Sequence, residues 1–250
     1  MSFEYWYVFP FSIFVATICN ASGFSGAVLF QPFFYFVLQI PVSVSIATGI
    51  ATETIGMSSG TVRYALMKVH DFKNYFTLLP WVIGGVLCGI ILFSKLSPAP
   101  MKALVGVVMI KVAVIHLLGM KFKNHSSKWS RFITSPIAFI AGLFSASTGT
   151  GVAELTQPLS EHGLKMPTKR ANANAILLEA SADWLITVVN LSLGNLRWDI
   201  LVFSASGVLI GGQFGALLSP HIPERILKIV FCSAITLIGL FYIYTFAYTG

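Results

Sequence analysis

Eight apolar blocks, most of them about 20 residues long, constrain what this chain can fold into. They cover 5–38, 42–66, 74–94, 101–120, 131–163, 171–193, 199–218 and 225–247. A helix of about 20 apolar residues crosses the hydrocarbon core of a bilayer. The composition, 56% hydrophobic and only 10% charged, is typical of a multispan membrane protein. Because no polar stretch exceeds roughly a dozen residues, a flanking soluble domain is not expected. The blocks therefore predict an all-α polytopic membrane protein.

The first and fifth blocks are too long for one ordinary helix. Small polar residues interrupt both of them, at 20–26 and 145–151. Each block is therefore predicted to form two short helices joined at a break, either as a re-entrant segment or as paired half-helices. Glu4, rather than a lysine or arginine, precedes the first block, so we expect a retained membrane segment and not a cleaved signal peptide.

The sequence repeats itself after 126 residues. Residues 22–53 align without a gap on residues 148–179, with ten identities in 32 positions. Shared glutamines and glutamates weigh most, because they are rare in membrane segments. The identities include Gly23 with Gly149, Gln31 with Gln157, and Glu53 with Glu179. We therefore predict two transmembrane repeats, 1–122 and 123–250, within a single integral-membrane unit.

The distribution of lysine and arginine favours opposite orientations for the two halves. Lys111 lies within a block, and if each broken block returns to the side from which it entered, the other basic residues divide twelve to three between the two sides. If each broken block crosses only once, the division is eight to seven. Because cytoplasmic loops are enriched in lysine and arginine, we predict two inverted-topology repeats. The basic loops would lie in the cytoplasm and both termini outside the cell membrane.

The two breaks are candidates for a substrate site. Broken helices at matching positions of inverted repeats are the usual construction of such a site in secondary transporters. The N-terminus of a half-helix leaves backbone N–H groups without partners and attracts an anion. The candidate substrate-binding residues are Ser22, Gly23, Ser25, Gly26, Gln31, Thr148, Gly149, Thr150, Gly151, Gln157, Asn172 and Asn174. Close helix packing, helix capping and interhelical hydrogen bonds are the alternative roles for these residues.

Five ionisable residues within the apolar blocks are candidates for proton coupling or gating. Buried charges in membranes are costly, and a carboxylate can be neutralised by a proton. The alternative is an ion pair or a hydrogen bond that fixes helix packing. The five are Glu53, Glu154, Glu179, Asp183 and Lys111. Because Glu154 aligns with Val28 and Asp183 with Met57, the two halves cannot contribute identically.

Motifs of known enzymes are missing from the sequence. It contains no GxSxG, no HExxH, no phosphate loop and no metal-ligand cluster, so we expect no enzymatic activity, no cofactor and no metal. The basic residues lie in short loops without interleaved aromatics, which argues against nucleic acid as a partner. The expected partners are a small anionic substrate and the lipid bilayer, and the oligomeric state stays open.

Two pairs of motifs resemble a known family. SGFSGAVLFQP and STGTGVAELTQP lead into SIATGIATETIG and ANANAILLEASAD, which is similar to the TauE/SafE family of sulfite exporters over essentially the whole chain. The resemblance implies a multipass plasma-membrane transporter that exports sulfite, sulfonates or sulfoacetate. Phe24 and Glu154 depart from the family's more glycine-rich motif. The alternative is a channel-like protein or a carrier for another ion or a neutral solute, and the acidic residues of the second half favour a cation.

Overall fold

The computed structural model describes residues 3–93 and 127–221, with isolated positions between 100 and 114 and between 229 and 244. The residues it describes are all-helical. They form eight α-helices, here numbered α1 (Val8–Ser22), α2 (Ala27–Pro32), α3 (Val42–Leu66), α4 (Phe72–Phe93), α5 (Ser127–Thr148), α6 (Val152–Pro158), α7 (Thr168–Ser192) and α8 (Trp198–Leu218). Lys111 lies outside the described residues, as do most of the predicted blocks 101–120 and 225–247.

The helices match the apolar blocks closely. The helices α4, α7 and α8 are each long and apolar enough to cross a membrane. The helix α3 has 25 residues, the same length as α7. Shorter apolar helices cover Val8–Ser22, Ala27–Val37 and Thr134–Thr148. The prediction of an all-α architecture with apolar helices of membrane-spanning length is confirmed for this part of the chain.

Both long blocks are broken where the sequence predicted. Gly23, after α1, and Gly149, after α5, adopt φ angles of 77° and 62°, which favour glycine and end the preceding helix. In the first block the ring of Phe11 on α1 stacks on Phe33, with centroids 3.9 Å apart, and meets Phe30 on α2 edge to face. The helix α2 therefore returns alongside α1, towards the side on which α1 begins.

The 126-residue repeat reappears in the element boundaries. Adding 126 to the bounds of α3 gives the bounds of α7, and adding it to the last residue of α1 gives the last residue of α5. A π-helical turn follows each proline-ended short helix, at Phe33–Val37 and at Leu159–Gly163. Positive φ angles recur at the same offset in three pairs: Gly23 with Gly149, Gln39 with Lys165, and Lys68 with Gly194.

The two halves are interlocked by their helix packing. The first helix of each half packs on the last helix described in the other half, α1 on α8 and α5 on α4. The helices α3 and α7 contact each other, and α3 also packs on α8 while α7 packs on α4. Along α3 and α7, Thr54 bonds Thr187 (2.7 Å), Trp184 Nε1 donates to Ser58 Oγ (2.9 Å) and Asn172 Nδ2 donates to Tyr64 Oη (3.0 Å). From the first of these pairs to the last, the residue numbers rise along α3 and fall along α7, so the two helices are antiparallel.

Two faces of the molecule follow from this packing. The end of α3 and the start of α7 lie together, with Arg63, Lys68, Lys165, Lys169 and Arg170 in or next to them. We call this end the basic face. The start of α3 lies at the other end, where Arg197 N donates to Thr48 Oγ1 (3.1 Å), and we call that end the opposite face.

Glycine stripes bring the interlocked helices close together. Gly207, Gly211 and Gly215 on α8 face the backbone of α1, and Gly85 and Gly89 on α4 face the backbone of α5. A side chain at any of these positions would lie closer than 3.0 Å to a backbone oxygen. Small residues at such crossings are the common way for membrane helices to approach each other.

We expect Gly85→Ala to lower the free energy of unfolding by about 1–3 kcal/mol, because its Cβ would overlap the carbonyl oxygen of Phe139. Gly84→Ala is the matched control, since its Cβ would meet only the Phe139 ring at 3.7 Å. The control should be neutral or slightly stabilising. Thermal unfolding of both variants in detergent measures the difference. Equal melting of the two variants would contradict this account of the α4–α5 contact.

Candidate functional site

The two helix breaks meet at the centre of the molecule, between α3 and α7. Ser25 Oγ lies 2.7 Å from the carbonyl oxygen of Gly149. Gln31 Nε2 donates to the carbonyl oxygen of Thr148. These contacts join residues more than 100 positions apart, and they place both breaks in a single site.

Two repeat-related glutamates hold the starts of the short helices. Glu53 on α3 accepts hydrogen bonds from the backbone N–H of Gly26 (2.7 Å) and Ala27 (2.8 Å), and lies 2.8 Å from Ser25 Oγ. Glu179 on α7 accepts a bond from the N–H of Ala153, the repeat counterpart of Ala27. Each carboxylate therefore occupies N–H groups that a half-helix N-terminus would otherwise leave free.

Glu154 adds a carboxylate that the first repeat does not have. It accepts hydrogen bonds from the N–H of Gly151 (2.8 Å), in its own break, and from the N–H of Ser25 (2.7 Å), in the other break. Val28 stands at the matching position of the first repeat. This bond between the two breaks therefore has no counterpart made by the first repeat.

Asp183 lies one turn beyond Glu179 and is fully buried. Neither of its carboxylate oxygens has a hydrogen-bond partner among the described residues. The ion pair found among the described residues lies at the surface and does not involve Asp183. It joins Arg197 Nη2 to Asp199 Oδ2 at 2.5 Å. The centre thus contains four buried carboxyl groups, of which Asp183 is unpartnered.

The structure gives the predicted substrate-binding residues several different environments. The central contacts include Gly23, Ser25, Gly26, Gln31, Thr148, Gly149, Gly151 and Gln157. The hydroxyl of Ser22 bonds the carbonyl of Ile18 (2.7 Å) within its own helix. The side-chain oxygens of Gln31, Gln157 and Thr150 are buried without a hydrogen-bond partner in the part of the chain described.

The two asparagines at the start of α7 lie at the basic face. Asn174 accepts from the N–H of Asp71 (2.8 Å) and donates to the carbonyl of the same residue (2.9 Å), so its amide holds the loop between α3 and α4. At the repeat-related positions, Thr48 Oγ1 accepts a hydrogen bond from the N–H of Arg197 (3.1 Å). Asn172 belongs to a separate cluster with Asn20, Tyr64 and Ser219.

Sequence reasoning missed four residues that contact the predicted site residues: Asn20, Tyr64, Ser145 and Ser219. Ser145 Oγ donates to Glu179 (3.2 Å), and Tyr64 Oη donates to the carbonyl of Asn20 (2.9 Å). Asn20 and Ser145 are the first residues of the two polar interruptions, and this position could have identified them as site candidates. Nothing in the sequence near Tyr64 or Ser219 indicates their contact with Asn172.

Comparison with known proteins identifies the class of protein. The family model described as sulfite exporter TauE/SafE matches residues 8–242. The chain therefore belongs to the TauE/SafE family of membrane transporters, and the resemblance seen in its motifs is confirmed. It is similar to a curated protein of Bacillus subtilis (strain 168), "Probable membrane transporter protein YjnA", with 25% identity over 251 residues, 91% of this chain and 95% of the relative. No solved structure matches the chain.

Proposed function

We propose that this protein is a secondary transporter that exports a small sulfur-containing anion across the cell membrane, coupled to protons. The family description supports the class of anion. The proposed classes are sulfite, sulfonates and sulfoacetate. In this proposal the basic face lies in the cytoplasm, and both termini lie outside.

The proposal includes two inverted repeats, 1–122 and 123–250. The antiparallel contacts of α3 and α7 support it, because equivalent helices of parallel repeats would run in the same direction. Each half also begins with a broken block whose tip reaches the central site. Transporters with this construction bind substrate where the breaks of the two repeats meet.

One observation carries the proposed mechanism: Glu53 and Glu179 bind the N–H groups of repeat-related residues at the starts of α2 and α6. A carboxylate there occupies the place of an anionic substrate. When the carboxyl takes up a proton it becomes neutral and a weaker acceptor, and its N–H partners become available to an external anion. Proton uptake and anion binding then occur together, which is the requirement for coupling.

The glycines and hydroxyls of the breaks complete the proposed anion site. Gly23, Gly26, Gly149 and Gly151 allow close approach to the backbone, and Ser25 and Thr150 supply hydroxyl donors. Asp183, which has no partner, is proposed as a second proton carrier. Glu154 would hold the two breaks together until the anion separates them.

Transport by the purified protein in liposomes tests this proposal. Sulfite, sulfoacetate and taurine are offered with and without a pH gradient, to the wild type and to Gly149→Ala. The added Cβ would lie within 3.0 Å of Ile50, so we expect anion flux to fall at least about tenfold. Gly194→Ala is the control, because Gly194 also has a positive φ (70°) but has nothing within 4 Å of its Cβ position. Equal flux in the two variants would exclude the break from the site, and no flux of any sulfur anion by the wild type would exclude the substrate class.

A cation carrier or cation channel is the second candidate. The observation that favours it is that buried side-chain oxygens near the centre accept no hydrogen bond from the described residues. These oxygens belong to Asp183, Gln31 and Gln157. Carboxylate and amide oxygens are ligands for hard cations. A thermal-shift panel of sodium, potassium and magnesium salts against sulfite and sulfonate salts separates the two. A melting temperature that depends on the cation of the salt and not on its anion would favour this candidate over the proposed one.

A further inference from the structure

A cavity of about 220 Å³ opens towards the opposite face. It reaches from the exposed Leu193 to Ile50, which is buried beside the break at Gly149. Its lining includes Ile46, Phe93, Ala146 and Asn190. The cavity therefore approaches the central site from one side of the protein.

The repeat counterparts of these four lining residues form a closed cluster at the basic face. Subtracting or adding 126 converts Asn190 to Tyr64, Ala146 to Asn20, Ile46 to Asn172 and Phe93 to Ser219. We call these four counterparts the polar plug. Asn172 Nδ2 lies within hydrogen-bond distance of Tyr64 Oη (3.0 Å) and Ser219 Oγ (3.3 Å), and Tyr64 Oη donates to the carbonyl of Asn20. Three of the four side chains are almost fully buried.

Two glycines let the polar plug close. A Cβ on Gly23 would overlap Asn172 Oδ1, and a Cβ on Gly60 would overlap Asn20 Oδ1, each closer than 3.0 Å. Ile186 stands at the repeat counterpart of Gly60 and lines the cavity. The same framework positions thus hold a packed hydrogen-bonded cluster at one face and an open space at the other.

We propose that the polar plug is the gate of the basic face in its closed state, and that the cavity is the access path of the opposite face in its open state. This inference rests on the proposed function in requiring a transporter, but it does not depend on the identity of the anion. Repeat-related elements that pack differently can exchange their packing, which moves access from one face to the other. The repeat-related positions also differ in chemistry, being polar in the plug at the basic face and largely apolar in the cavity at the opposite face.

Cysteine accessibility tests this inference without a substrate. The background has Cys19, Cys88 and Cys232 replaced by alanine, and Asn190→Cys reports on the cavity. Ala21→Cys reports on the polar plug, because the carbonyl of Ala21 accepts a hydrogen bond from Asn172 Nδ2 (3.2 Å). The probe is a water-soluble maleimide added to the purified protein. We expect Asn190→Cys to react at least about tenfold faster than Ala21→Cys, because one lines the cavity and the other is 4% exposed.

Two variants should open the polar plug. Gly23→Ala places a methyl group against Asn172, and Tyr64→Phe removes two buried hydrogen bonds. Each should increase the labelling rate of Ala21→Cys by roughly tenfold and decrease that of Asn190→Cys. Gly84→Ala, on the α4–α5 contact and outside both the polar plug and the cavity lining, should change neither rate.

Equal labelling of the two reporters in the wild type would overturn the inference. So would unchanged labelling in both variants when their melting temperatures match the wild type. A shift in labelling together with an absence of sulfur-anion flux would retain the gate and reject only the proposed substrate.

Discussion

Replacing Glu53 with alanine should abolish transport and lower the free energy of unfolding by about 3–5 kcal/mol. The carboxylate accepts hydrogen bonds from two backbone N–H groups and contacts the hydroxyl of Ser25, all of them buried. Without it, the start of α2 loses its partner inside the protein, where water cannot replace the lost acceptor. Thermal unfolding in detergent and anion flux in liposomes measure the two effects.

Two further variants make the Glu53 prediction specific. Glu161→Ala makes the same change at a glutamate that accepts a hydrogen bond from Thr168 at the surface. It should leave both stability and flux close to wild type. Glu53→Gln keeps one acceptor oxygen but cannot take up and release a proton. We expect it to retain most of the stability and to lose pH-driven flux. A stable and fully active Glu53→Ala protein would remove this carboxylate from the mechanism.

Replacing Asp183 should have the opposite effect on stability. Asp183 is fully buried with both oxygens unpartnered, so its carboxyl group destabilises the folded protein wherever it is ionised. Asp183→Asn should therefore be neutral or raise the free energy of unfolding by about 1–3 kcal/mol. If Asp183 carries a coupled proton, the same variant should lose the dependence of anion flux on the pH gradient.

The first repeat suggests a second substitution at this position. Met57 is the counterpart of Asp183, so Asp183→Met gives the second half a residue that the fold already accommodates at that site. It should fold and should also lose pH-driven flux. Asp199→Asn, in the surface pair with Arg197, serves as the control and should affect neither property strongly. Retention of full pH coupling by both Asp183 variants would assign coupling to other groups.

The sequence predicted those parts of the fold that depend on local pattern. The apolar blocks gave α3, α4, α7 and α8, and the small polar stretches gave both helix breaks. Gly23 and Gly149 illustrate why this worked, because a positive φ angle favours glycine in each repeat. Glu53 and Glu179 were recognisable for a related reason, since a carboxyl group is rare and costly within a membrane segment.

The partners of these residues could not be predicted in the same way. The sequence indicated that the half-helix N-termini present free N–H groups to an anion, whereas Glu53, Glu154 and Glu179 occupy those groups here. The bond from Ser25 to Glu154 joins residues 129 positions apart, and no local pattern encodes such a pairing. Asn174 shows the same limit, because a strip of asparagines does not indicate that one amide will hold a loop.

The packing of α1 on α8 and of α5 on α4 has a consequence for how the protein is made. When ribosomes have synthesised the first half, α1 still lacks the helix on which it packs most extensively, because α8 begins at Trp198. The glycine-lined contact that holds α1 can form only after most of the chain has entered the membrane. Neither half is therefore expected to be stable alone, and residues 1–122 and 123–250, produced as separate fragments, should accumulate only when they are expressed together.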